Sequence, residues 1–296
     1  MSTPLSPVPH RLVTPLEPVA AAAPRSRARS QLVGGAASGL LEVAVASSCG
    51  TQHPTNEDAH SALDGAGRLF VVADGVGGGA MAQTASRLLV SQLHDALEAA
   101  PIDADSVRAA VLEADRRIAG TIARVTARPG AATVALCAPV DASAGRWLVA
   151  WVGDCRVYRI AKDAGPRVDL LTRDDTFGNL GETPPRGGSP DDPARMVGNG
   201  AVASANVAVH EVARGDVLAL CSDGVHRFVE AGDWCRLLAE RAPLARICEA
   251  LIAVARTNGS KDDATVLLLQ GAPTQQPGLR RGLRMAGSTG AGRRER

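Results

Sequence analysis

Apolar residues recur along this chain in two rhythms, and the switches between them mark its elements. Short, almost unbroken apolar runs at Leu40–Cys49, Arg68–Ala73, Thr133–Val140, Trp147–Val152, Arg156–Ile160, Val207–Val212, Val217–Leu220 and Thr265–Leu269 have the length and composition of strands. Over 80–99, Ala85, Leu89, Leu93 and Leu97 recur every four residues, which predicts a helix with one apolar face. Val107, Val111, Ile118, Ile122 and Val125 predict a second helix over 105–127, and helical patterns return at 231–241 and 243–257. Strands bracketing two runs of helices predict an α+β fold, a sheet sandwich with helices packed outside it. The stretch 174–204, studded with Gly and Pro, breaks both rhythms. A loop of that length is functional or disordered.

Composition then separates the domain from its ends. Residues 1–37 are rich in Pro, Ala, Ser and Arg and 272–296 in Gly, Arg and Gln, so both read as disordered tails around a folded domain at 38–271. At 45% hydrophobic, the 296-residue chain can bury a substantial core. Its net charge of +1 is unevenly spread: residues 1–30 carry +3 and 272–296 carry +5, leaving −7 for 31–271. The Arg-rich tail has no interleaved aromatics, so no nucleic acid is expected as a partner. None of the six Cys is in a CxxC pair, and most lie in apolar runs. Reduced thiols in a reducing compartment are the expectation. No apolar run reaches the ~20 residues of a membrane span, and Pro interrupts any secretory signal at the start. The expectation is a cytoplasmic monomer.

Four short acidic motifs change the picture most. Asp74-Gly75 follows the run ending at Ala73, Ser222-Asp223-Gly224 follows Val217–Leu220, Asp262-Asp263 opens Thr265–Leu269, and Asn56-Glu57-Asp58 precedes them all. Carboxylates at strand ends converge at one edge of a sheet. Crowded carboxylates raise one another's pKa unless a cation neutralises them, and Asp with few His or Cys partners favours Mg or Mn over Zn. Alone, Asp74-Gly75 reads as a turn entering a glycine-rich helix start. The company of Asp58, Asp223 and Asp262 overturns that reading.

Seven segments together resemble the metal-dependent protein phosphatases of type 2C, over about 40–271. They are Asn56-Glu57-Asp58-Ala59, Ala73-Asp74-Gly75-Val76-Gly77-Gly78, Gly130-Ala131-Ala132-Thr133, Gly153-Asp154-Cys155-Arg156, Leu171-Thr172-Arg173-Asp174, Cys221-Ser222-Asp223-Gly224 and Asp262-Asp263-Ala264-Thr265. The resemblance implies a four-layer α/β/β/α sandwich of two mainly antiparallel sheets. It implies a centre of two Mn or Mg ions at one end. There Asp74 would bridge both ions, the Gly75 carbonyl would bind one, and Asp223 and Asp262 the other. Glu57 and Asp58 would hold metal-bound waters or complete a shell. Asp154 would match a ligand of a third, weaker ion, or cap a tight strand turn. The implied reaction is hydrolysis of phosphoserine and phosphothreonine in proteins, opposing a serine/threonine kinase, by a metal-bridged hydroxide attacking in line.

The chain departs from the family pattern at the phosphate clamp. His53 stands where the family usually has an Arg, and a His offers one donor and partial charge in place of a planar, permanently charged fork. His53 is therefore the candidate substrate-binding residue, with an idle loop histidine as the alternative and Arg186 or Arg195 as candidates to supply the charge. A pseudo-phosphatase that binds a phosphoprotein with little turnover is the competing function. Asp263 replaces the family's Asn; alignment to Thr265 favours Asp262 as the ligand. Asp175 replaces a His, Ser48 replaces an Asp, and His226 reads as a solvated residue. Trp147, Trp151 and Trp234 read as core.

Overall fold

In a computed structural model, the chain is described at residues 31–34, 40–63, 68–78, 80–98, 101–127, 130–140, 145–161, 167–202, 204–240 and 242–271. The expected tail at 272–296 and most of that at 1–37 lie outside these residues. Along the chain run β1 (Gln31–Gly34), β2 (Leu40–Ser48), β3 (Ala59–His60), β4 (Phe70–Val76), α1 (Ala80–Leu97) and α2 (Ala104–Ala123). There follow β5 (Ala131–Pro139), β6 (Arg146–Val152), β7 (Arg156–Ala161), β8 (Arg167–Leu170), α3 (Phe177–Leu180) and β9 (Asn206–Glu211). The last are β10 (Val217–Cys221), α4 (Asp223–His226), α5 (Ala231–Ala239), α6 (Leu244–Thr257) and β11 (Ala264–Gly271).

Two antiparallel sheets form the centre, in the orders β1-β2-β11-β10-β7-β8 and β3-β4-β5-β6-β9. Strand periodicity explains the layers. On β11, Val266 and Leu268 face α5 and α6, while Leu267 and Leu269 face the other sheet. On β5, Val134 and Leu136 face α1 and α2, while Ala135 and Cys137 face inward between the sheets. Strands buried on both faces read as continuous apolar runs rather than alternating ones. Each helix pair lays its apolar stripe on one sheet, giving the α/β/β/α sandwich. Leu89, Leu93 and Leu97 of α1 and Val107, Val111, Ile118 and Ile122 of α2 are all buried there.

Several expectations need correction. Val125 does not join the stripe of α2: the helix ends at Ala123 and Val125 is 73% exposed, because beyond the end the helical period no longer sets its direction. Gln31–Gly34, inside the expected tail, pairs with β2. The short elements β3, β8, α3 and α4 escape a pattern search because two to four residues carry no period. Trp147 and Trp234 are core, but Trp151 is half-buried and donates Nε1–H to the Arg173 carbonyl. All six thiols are free, four of them buried.

The described part of 174–204 is ordered and tied to the domain. Asp115 of α2, buried, accepts from the Gly198 and Gly200 amides through Oδ1. Asp175 accepts from the Gly153 amide and from Asn206 Nδ2, and Asp174 forms a bidentate pair with Arg156.

Candidate active site

The four acidic motifs meet at one end of the two sheets, and each is placed by backbone constraints. Asp74 and Gly75 lie on the last residues of β4, paired with Thr133 and Ala132 of β5. A Cβ on Gly75 would come 2.5 Å from the Ala82 carbonyl oxygen and 2.9 Å from that of Glu57, so only Gly lets strand, first motif and α1 close together. Gly77 and Gly78, at φ 112 and 71, then turn the chain into α1.

Asn56-Glu57-Asp58 is strapped on three sides. Asn56 Oδ1 accepts from the Asp58 amide and its Nδ2 donates to Ser47 Oγ. The Glu57 carbonyl accepts from Ser86 Oγ at 2.5 Å, and its amide donates to Asp263 Oδ2 at 2.6 Å. Ser222 Oγ joins the first and third motifs: it donates to Asp58 Oδ2 at 2.8 Å and accepts from the Thr265 amide at 3.0 Å. Gly224 packs against the Asp263 carbonyl oxygen so closely that a Cβ would lie 1.9 Å from it.

The last motif divides its labour. Asp263 spends both oxygens on backbone amides, Oδ1 on Gly50 and Oδ2 on Glu57. Asp262 and Asp263 both line a cleft of about 250 Å³ with Glu57, Asp74, Gly75, Asp154 and Asp223, and Asp262 Oδ1 also accepts from the Asp263 amide. Arg256, unremarked in the sequence, knots this corner by donating to the carbonyls of Ser48, Cys49, Ser260 and Asp262.

The electrostatics are those of a site built for cations. Enclosure by protein, then the charges of Asp58, Asp223, Asp154 and Asp262, push the Asp74 carboxyl well above its ordinary range. Enclosure is also the first cause that drives Asp58 up to about 8 and Asp223 to about 6. Asp58 Oδ1 is buried with no partner among the described residues. Carboxylate and carbonyl oxygens are the donor set of hard divalent ions, so these residues fit such ions.

A profile of the family described as Protein phosphatase 2C matches residues 47–265. The chain belongs to the protein phosphatase 2C family. The catalytic domain of the serine/threonine phosphatase PstP, solved with two manganese ions, superposes with a TM-score of 0.67 at 25% identity, over 80% of this chain and 100% of that one. The PPM Ser-Thr phosphatase MsPP from Mycobacterium smegmatis, solved with cacodylate, gives 0.65 at 26% identity over 77% and 97%. Stp1 from Staphylococcus aureus shares the fold, at 0.68 and 22% identity over 83% and 99%. No curated protein sequence matches.

In this type 2C phosphatase, carboxylates of all four motifs line one cleft, and His53 stands at its rim. His53 lines the cleft, its ring against Gly78 and its Nδ1 3.4 Å from Glu57 Oε2. It is not an isolated loop residue. Arg195 pairs instead with Glu182, both exposed, and neither Arg195 nor Arg186 lines the cleft. Arg227 does line it, and sequence reasoning missed it. The available signal was its spacing: four residues after Asp223 on a helical turn puts both on one face. His226 is a further correction. It is 7% exposed, bonded through Nε2 to the Asp154 carbonyl, and burial holds its imidazole well below the ordinary range.

Proposed function

We propose that this protein phosphatase 2C hydrolyses phosphoserine and phosphothreonine in proteins, with Asp74, the Gly75 carbonyl, Asp223 and Asp262 as ligands of two Mn or Mg ions and Glu57 and Asp58 ordering their waters. The observation that supports it above all is the convergence of four separate carboxylate segments on one cleft with Asp58 Oδ1 left unpartnered. When bound, the ions supply the Lewis acidity that activates water and offsets charge on the phosphoryl oxygens.

The protein's own part is orientation and proton handling. The Ser222 hydroxyl occupies Asp58 Oδ2, which leaves Oδ1 as the atom able to take a proton from the attacking water. Asp263 fixes the backbone of Gly50 and Glu57, so the neighbouring Asp262 carboxylate keeps its aim. At the rim, His53 presents a single N–H to a substrate phosphate, a weaker hold than an Arg fork. The full set of carboxylates weighs against a purely binding role. The substrate is the product of a serine/threonine protein kinase, and the free, buried thiols suit a reducing, cytoplasmic setting.

Turnover of a phosphothreonine peptide by the full chain, with Mn and with chelator, tests this. Activity is expected only with metal and is abolished in Asp74→Asn; persistence in chelator, or an unimpaired variant, would overturn the proposal.

A further inference from the structure

We infer that the Arg227 guanidinium is a built-in cation that occupies the place of a third metal ion between Asp154 and Asp223. The inference rests on the reading that Asp74, Asp223 and Asp262 hold the two principal ions. It concerns the edge of that centre, where the residues do not fit a further ion.

Asp154 sits in the turn between β6 and β7 and is 3% exposed. A buried carboxylate needs a counter-charge. Arg227 supplies it: its Nη2 is 3.0 Å from Asp154 Oδ2 and its Nε is 3.2 Å from Asp223 Oδ2. Three constraints hold the guanidinium there. Arg227 is the C-terminal cap of α4, one helical turn beyond Asp223, so the side chains share a face. Its Nη2 also donates to the Asp191 carbonyl at 3.1 Å. On the other side of the pair, His226 Nε2 bonds the Asp154 carbonyl at 3.0 Å, so adjacent residues of one turn grip both the backbone and the carboxylate of Asp154.

A divalent ion between Asp154 and Asp223 would need about six oxygens at close to 2.1 Å. The guanidinium already fills that gap. Displacing it would break its bonds to Asp154, Asp223 and the Asp191 carbonyl and set it beside cations of like sign. Asp154 is thus a partner of arginine rather than a metal ligand, and the strand-turn cap left open by the sequence is closer to its role.

Mn bound per full-length chain, measured by titration calorimetry and by metal analysis after gel filtration, tests the inference. The wild type and Arg227→Lys, which keeps a cation, are expected to bind about two ions, whereas Arg227→Ala, which leaves the Asp154–Asp223 pair vacant, gains about one. The added ion should vanish in Arg227→Ala/Asp154→Asn. Loss of the added ion in that double variant separates a built site from adventitious binding by a misfolded chain. An Arg227→Ala count equal to that of the wild type would overturn the inference, as would a wild-type count of about three that falls to two in Asp154→Asn. The two-ion reading is checked separately by Asp74→Asn: undiminished Mn binding there counts against that ligand set, while the Arg227→Ala comparison reports on the third position alone.

Discussion

Asp58, Asp74, Asp223 and Asp262 project from backbone pinned by buried hydrogen bonds and by glycines that tolerate no Cβ, whereas His53 and Arg227 line the cleft partly exposed, His53 beside Glu57 and Arg227 paired with Asp154 and Asp223. The difference follows from what each side must do. Ions would need oxygens fixed to within tenths of an ångström before substrate arrives, and the proposed ligands Asp74, Asp223 and Asp262 are half-buried on pinned backbone. A rim that meets varied phosphoproteins can be remade residue by residue without disturbing the fold, and it is there that His53 departs from the family pattern.

Four experiments separate these sides, beginning with the metal side, where the effect is greatest. Removing the central ligand in Asp74→Asn forfeits several kcal/mol of transition-state stabilisation, so kcat/KM is expected to fall by about a thousandfold or more, with a thermal midpoint in chelator that does not fall. Next comes packing: Gly224→Ala forces a Cβ onto the Asp263 carbonyl and is expected to cost about 3 kcal/mol. A lowering of Tm by about 6–12 °C would register it; an unchanged Tm would show that this corner is not tightly closed.

A third effect is pH-dependent and belongs to the metal-free protein. Asp58 titrates at about 8 in the folded chain against an ordinary 3.8, so between those values the folded state holds more protons than the unfolded one. Its contribution is complete below about pH 4 and is lost as pH rises through about 8. Tm in chelator is therefore expected to decline from pH 5 to 8.5, with Asp58→Asn making the decline shallower, since Asp74 and Asp223 are raised as well, and saturating Mn suppressing it. A flat wild-type profile would contradict the assignment.

The smallest change is expected at the rim. His53→Arg restores a charged fork at a partly exposed site, worth about 1 kcal/mol after solvent screening, and should lower the KM for a phosphopeptide several-fold while leaving Mn affinity alone. If Mn affinity moved instead, His53 would belong to the metal side.

Much of the metal side is legible in the sequence. The motifs carry their own placement, because an apolar run that stops at Asp74 or at Cys221-Ser222-Asp223 announces a strand end, and strand ends in a sandwich gather at its edges. The long helices are equally plain, since the four-residue spacing from Ala85 to Leu97 cannot serve a strand. Pairings between residues far apart in sequence leave no such mark. Arg227 follows Asp223 visibly, yet its bond to Asp154 spans 73 positions. His226 reads as solvated because nothing local shows that the β6–β7 turn closes over it.

Local order along the chain is enough for the layers, the strand ends and the choice of hard-metal chemistry, because periodicity and residue type act over a few neighbours. Tertiary closure alone assigns the partners: Asp263 holds the Gly50 and Glu57 amides, and Asp154 meets the Arg227 guanidinium. Whether a buried charge meets an amide, an ion or an arginine depends on which segments fold against it, and those segments lie 73 positions apart for Asp154 and Arg227 and 213 apart for Gly50 and Asp263.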